Sequence, residues 1–348
     1  LVQSHDLHTA WLNAAALRLI GTGSHSPGLL REAECFAAVS RFCADPLLSG
    51  DEEVVGAMHR AASRGVVGIL DFEMADNVAD WRRRAQAADL PVRVECSVPR
   101  TRIDATVAAG LRTGDAVAPQ VTVGPVKLFL DGSLTSGTAS TAAGAEPLIP
   151  EEELRSILGR LADHGLEVAL HAIGDGATAL ALDAFEATGA RGRIEHAQLL
   201  RPADLGRFRD LGVIASVQPT HLCMDRDLPV WSRFDSSAAY RYASLLRSGA
   251  TVQFGSDAPV VPMDPWASMA AAITRTADER DAWHAAECLT LDEALGASTR
   301  GRLVPRPGDA ADLMILGHRT LERDTLTRTV VQGTLVAGRW SHRDALAS

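Results

Sequence analysis

Val126-Lys127-Leu128-Phe129, Leu170-His171-Ala172, Ile194-Glu195-His196 and Phe254-Gly255-Ser256-Asp257 each read as a buried strand with a potential metal ligand at its carboxyl end. In chain order those ligands are Lys127, His171, His196 and Asp257. Ligand-type side chains at the carboxyl ends of successive parallel strands converge on one mouth when the strands close into a ring.

Working outward from these four runs, short apolar stretches alternate with Ala- and Leu-rich stretches of helical period from about residue 50 to 300, the βαβα signature of a parallel sheet. Strands are predicted over Val66–Phe72, Val92–Val98, Val121–Leu130, Leu166–His171, Arg193–His196, Val213–Gln218 and Thr251–Ser256. Helices are predicted over Glu151–His164, Ala177–Thr188, Pro202–Leu211 and Ala238–Ser248, with Asp175 as a cap. An open doubly wound sheet serves its site from a few strands at a switch point, whereas ligands from four of seven strands call for a closed ring. The expected fold is therefore α/β, a TIM-type (β/α)8 barrel whose first strand is missing.

Residues 1 to 50 read as mostly helical, clearest over Trp11–Ile20. After Arg302 the texture changes, and Ala311–Leu316 and Arg328–Val336 read as strands with Gln332-Gly333 as a turn. The expected division is a barrel over 1–302 and a partial β subdomain over 303–348.

Composition narrows the function. With 46% hydrophobic and 22% charged residues the 348-residue chain is of soluble globular type, and no apolar run has the length of a membrane span. A formal charge of -10 without a basic cluster argues against nucleic acid and leaves small molecules as partners. The five cysteines form no CxxC pair, which fits a reducing compartment and a cytoplasmic location. The chain begins at Leu1 with no methionine before it, and the natural start is expected upstream.

The candidate residues carry distinct chemistries. Strand alternation sets Lys127, Phe129 and Asp131 on one face, and a buried lysine has a depressed pKa that permits a Schiff base or a metal-binding carbamate. The plainer alternative is a strand-end lysine reaching solvent. His171 and His196 are ligands or satisfied core histidines, and alternation places Glu195 opposite His196. Asp257 is a turn residue or a metal-binding base. His221, just after Val213–Gln218, reads as a substrate contact. His5 and His8 form a weak HxxH, and the stretch from Gly21 fails the dinucleotide fingerprint, with Ser26 at the third glycine position.

Taken in order, the motifs resemble the amidohydrolase superfamily, in particular its YtcJ-like branch, the amidohydrolase 3 group that includes N-substituted formamide deformylases. The resemblance runs through Ser4 to Asn13, VKLFLDGSLTSGTA from Val126, LHAIGDGA from Leu170, RIEHAQLL from Arg193, QPTH from Gln218, FGSDAPV from Phe254 and PGDAADLMIL from Pro307. It implies a metal-dependent hydrolase cleaving a non-peptide C–N bond, amide or cyclic amide, by a metal-activated hydroxide. Lys127 would be a carboxylated lysine bridging two divalent ions, His171 and His196 would hold the second ion, and Asp257 would hold the first and act as base. Zinc is the expected metal, with manganese, iron or cobalt as alternatives. Asp6, His8 and His221 would lie near a small-molecule substrate, and a homodimer is expected.

One departure stands out: family members open the barrel with His-x-His, and none of the eleven histidines here lies two residues from another. Residues Arg300 to Arg306 also read as a local deletion. A truncated, inactive barrel serving as a binding or scaffold protein is the alternative reading. A Schiff-base lyase built on Lys127 is a third, which leaves His171, His196 and Asp257 without a shared task.

Overall fold

The computed structural model describes residues 1–5, 7–21, 28–43, 50–141, 146–232, 234–317 and 321–344. Its strands are β1 (Val2–Gln3), β2 (Thr9–Trp11), β3 (Leu29–Arg31), β4 (Gly68–Asp71), β5 (Arg93–Pro99), β6 (Ala116–Ala118) and β7 (Val121–Phe129). They continue with β8 (Val168–Ala172), β9 (Gly192–His196), β10 (Ile214–Val217), β11 (Val252–Phe254), β12 (Leu313–Leu316), β13 (Val331–Val336) and β14 (Arg339–Arg343). The helices are α1 (Ala14–Leu19), α2 (Glu32–Cys43), α3 (Asp51–Ser63), α4 (Asn77–Ala87), α5 (Ile103–Ala108) and α6 (Glu151–Asp163). After them come α7 (Asp175–Thr188), α8 (Leu205–Leu211), α9 (Pro219–Asp225), α10 (Tyr242–Arg247), α11 (Pro265–Thr274) and α12 (Leu291–Ser298).

All seven predicted strands form, and they pair in parallel in the order β11-β10-β9-β8-β7-β5-β4, with β6 added antiparallel to β7. The sheet curls, and among the described residues it ends on β4 and β11 without pairing between them. Alternation explains its two faces. Val126, Leu128 and Leu130 pack outward with Leu154, Leu158 and Leu161 of α6, while Lys127 and Phe129 point inward. Three glutamates in the first turn of α6 complement its dipole.

Residues 1 to 50 depart from the helical expectation. Strands β1, β2 and β3 form an antiparallel sheet that packs with α1 and α2 around Ala10, Leu17, Leu30 and Cys35. Thr9 to Trp11 is paired on both sides, and the Asn13 side chain accepts from the Ala16 N–H at 2.9 Å, so the helix starts only after it. Helix α10 also starts later than expected, because Ala239 bridges to Leu199 and Tyr240 has φ 54°. Gly174 rather than Asp175 is the cap of α7.

The tail forms three strands, β12 to β14, and Gln332-Gly333 is not a turn. Strand β13 runs straight through it, and a Cβ at Gly333 would sit 2.4 Å from the Trp340 ring, so glycine there makes room for a cross-strand tryptophan. Thr334 Oγ1 donates to the Ala62 carbonyl at 2.6 Å, and Arg93 donates to both Asp312 oxygens at 2.7 and 3.0 Å. These bonds tie the tail to α3 and β5. No helix among the described residues is long and apolar enough to cross a membrane.

Candidate metal centre

The carboxyl ends of β7, β8, β9 and β11 meet at one mouth, but their side chains divide into two groups. Lys127 is 4% exposed, with Nζ 4.5 Å over the Phe72 ring and 4.9 Å over the Phe129 ring. Burial lowers its pKa against the opposing pull of Glu195 and Asp257, which favours the free amine.

His171 is equally enclosed. Its Nε2 lies 3.1 Å from the Gly132 carbonyl, which only accepts, so the proton sits on Nε2 and the lone pair on Nδ1. Asp131, next to Gly132, is fully buried and accepts backbone N–H bonds from Ser140, Ile173 and Gly174 at 2.9, 3.0 and 2.8 Å. This one carboxylate fastens the loop after β7 to the turn after β8. Gly174 is required there, because a Cβ would meet the Ser140 carbonyl oxygen at 1.8 Å.

On the other side, strand parity turns Arg193 and Glu195 inward, where Arg193 donates to Glu195 Oε1, Gln253 Oε1 and Ser216 Oγ at 2.5, 3.2 and 2.7 Å. His196 does not take the opposite face as alternation requires. Its φ of 75°, followed by 42° at Ala197, breaks the strand and swings the ring to the mouth, 4.4 Å from His171 between centroids. Asp257 has a similar left-handed backbone, φ 57°. Such conformations cost about 1–3 kcal/mol each outside glycine, and both occur at ligand-type residues.

His221, in the first turn of α9, stacks on His196 at 6.0 Å and 18°. His196 Nδ1 and His221 Nε2 are buried without a hydrogen-bond partner, and His221 Nε2 stands 3.9 Å from Asp257 Oδ2. Donor atoms of His196, His221 and Asp257 all lie within 4.8 Å of one another. Burial holds His171 and His196 well below the usual histidine range, with Lys127 and neighbouring histidines adding to the effect, and lowers His221 to about 4. All three rings are therefore neutral near pH 7, the form that ligates metal. The Asp257 side chain is 41% exposed, and partial desolvation, opposed by Lys127, pushes its pKa up.

The first residue of α2, Glu32, is one that the sequence did not single out. His8 Nδ1 donates to Glu32 Oε2 at 2.7 Å, and Thr138 Oγ1 donates to Glu32 Oε1 at 2.6 Å. The His8 ring lies 5.5 Å from that of His171. Burial raises the Glu32 pKa, but His8, Thr138 and Ser136 outweigh it and the net shift is downward. Glu32 is 24 positions from His8 and 106 from Thr138, so no local motif marks it. Asp6 and residues 22–27 lie outside the described residues.

This geometry meets a clear match in known proteins, for the model of Amidohydro_3, the amidohydrolase family, matches residues 1–342. The chain belongs to the amidohydrolase family. Protein LONG AFTER FAR-RED 3 of Arabidopsis thaliana is 31% identical, over 83% of this chain and 56% of its own length. Putative amidohydrolase YtcJ of Bacillus subtilis (strain 168) is 28% identical over 53% of this chain and 38% of its own. N-substituted formamide deformylase of Arthrobacter pascens is 24% identical over 94% and 71%. Among solved structures, an uncharacterized metal-dependent hydrolase from Pyrococcus furiosus aligns with a TM-score of 0.71 and 26% identity over 84% of this chain and 65% of that one. The chain thus spans about half the length of the first curated relatives it matches, 56% and 38%.

Proposed function

We propose that this chain carries the catalytic mouth of a metal-dependent hydrolase that cleaves a non-peptide C–N bond of a small molecule, an amide or cyclic amide. The observation that carries this reading is the pair of buried, unpartnered ring nitrogens on His196 and His221 beside the Asp257 carboxylate. Neutral imidazole and carboxylate are donors suited to zinc, manganese, iron or cobalt, and buried polar atoms without partners are uncommon unless something else satisfies them. Kinship with an N-substituted formamide deformylase supports the bond type.

In this reading Lys127, His171, His196 and Asp257 hold one or two divalent ions, with Lys127 carboxylated. The metal, when bound, lowers the pKa of water and polarises the scissile carbonyl. Asp257 takes up the proton of the attacking water. His8, Asp6 and His221 contact the substrate. A further strand between β4 and β11 closes the sheet into a (β/α)8 barrel.

The test is hydrolysis of a panel of N-substituted formamides and cyclic amides by the full natural protein, before and after chelation and zinc return. Release of carboxylate that chelation abolishes and zinc restores is expected. Unchanged rates without metal contradict the reading. Tight metal binding without turnover of the panel favours the binding or scaffold alternative, which the edges of β4 and β11, unpaired among the described residues, also accommodate.

A further inference from the structure

We propose that Arg275 Nη2 and the Tyr242 hydroxyl hold one small inorganic anion, chloride, in an enclosed site between the end of α11 and the start of α10. The site uses none of the residues given a role at the mouth, and it stands whether or not the metal-dependent reading does.

The argument starts from charge. Arg275 follows the last residue of α11 and is fully buried. Its Nε donates to the Trp283 carbonyl at 2.5 Å and its Nη1 to the Tyr240 carbonyl at 3.0 Å, but Nη2 is buried without a partner. Arg275 has no ion pair among the described residues. A guanidinium stays charged inside a protein, and a buried charge without a counter-charge is costly.

The groups around it do not supply that counter-charge. The Tyr242 ring centroid lies 5.6 Å from Arg275 Cζ, and the Tyr242 hydroxyl is also buried and unpartnered. Each of the two is the strongest electrostatic influence on the other. Burial holds the Tyr242 phenol above its usual range and pushes the nearby Cys223 thiol up to about 11, so both keep their protons near pH 7. Glu287 is committed to Ser244, accepting from its N–H at 2.9 Å and from its hydroxyl. Asp225 accepts from Gln198 Nε2 at 2.8 Å and from the Tyr240 hydroxyl. What remains is a buried cation with unused N–H and O–H donors, the complement of an anion. Water satisfies such donors but not the charge. Both side chains are fully enclosed, which suits a single halide ion better than a carboxylate- or phosphate-bearing ligand.

The site is also a joint. Arg275, with a left-handed backbone of φ 53°, ties the end of α11 to Trp283 ahead of α12 and to Tyr240 ahead of α10. An anion bound there exists only in the folded protein and therefore stabilises it by mass action.

The experiment is thermal unfolding of the full natural protein and its Tyr242→Phe variant at fixed ionic strength, with chloride exchanged for gluconate. Bromide anomalous diffraction from wild-type crystals accompanies it. The proposal expects the wild-type midpoint to rise by about 2–4 °C in chloride, and Tyr242→Phe to lose most of that rise. It expects a bromide peak in contact with Arg275 Nη2 and the Tyr242 hydroxyl. Equal wild-type midpoints in the two salts overturn the site whatever the diffraction shows, since a peak alone is then an adventitious ion only. A rise kept in full by Tyr242→Phe, or no bromide peak between the two side chains, overturns it as well.

Discussion

The two sides of the mouth carry similar residue types in opposite states. On the β7–β8 side, Lys127 is packed between phenylalanine rings, His171 is bonded to a carbonyl, and Asp131 and Glu32 have their oxygens engaged. On the β9–β11 side, His196 and His221 keep buried nitrogens unpaired, and the backbone is left-handed at both His196 and Asp257. The polar groups of the first side are held mainly within the protein, whereas two ring nitrogens of the second are not. Substitution should then separate stability from activity according to side.

The largest effect is expected at Asp257→Asn or His196→Asn. Turnover should fall by about 10²–10⁴-fold, while unfolding in urea moves little, because these side chains contribute few internal bonds. A stability loss as large as the activity loss would erase the distinction between the sides. Asp131→Ala should show the reverse emphasis. Three backbone N–H groups lose their acceptor, and the denaturation midpoint should drop by the equivalent of about 3–5 kcal/mol.

Glu32→Gln sharpens the comparison at smaller scale and with a pH signature. The folded pKa of Glu32 is depressed, so its contribution is present above the ordinary value of 4.5 and is lost as pH falls through the lowered one. The variant should be less stable by about 1–2 kcal/mol near neutrality, and the gap should close in acid. Equal gaps at neutral and acid pH would contradict the ion-paired arrangement. Least affected in stability should be Lys127→Met, which replaces a buried amine by an apolar chain of similar length. A change within about 1 kcal/mol by thermal unfolding is expected, with stabilisation as acceptable as loss.

Much of this was legible in the residues. The seven strands declare themselves by apolar runs, and simple alternation places Lys127 and Phe129 on one shared face, which the structure turns inward. The same rule fails at His196, because a period of two holds only while the backbone stays extended, and there φ is 75°. Gln332-Gly333 misleads because a glycine chosen to fit the Trp340 ring looks like a turn glycine. Thr9 to Trp11 misleads because pairing with both neighbouring strands outweighs a pattern that also suits a helix. Glu32 and the clustering of His221 with Asp257 depend on contacts between distant segments, which local patterns do not carry.

The central claim is that a metal ion sits at the unsatisfied side of the mouth, beside His196 and Asp257. Anomalous diffraction at the zinc edge, from crystals of the full natural protein grown with zinc, tests it most directly. The account predicts a peak within bonding distance of His196 and Asp257. A peak held by Lys127 and His171 alone, or none at the mouth, would contradict it.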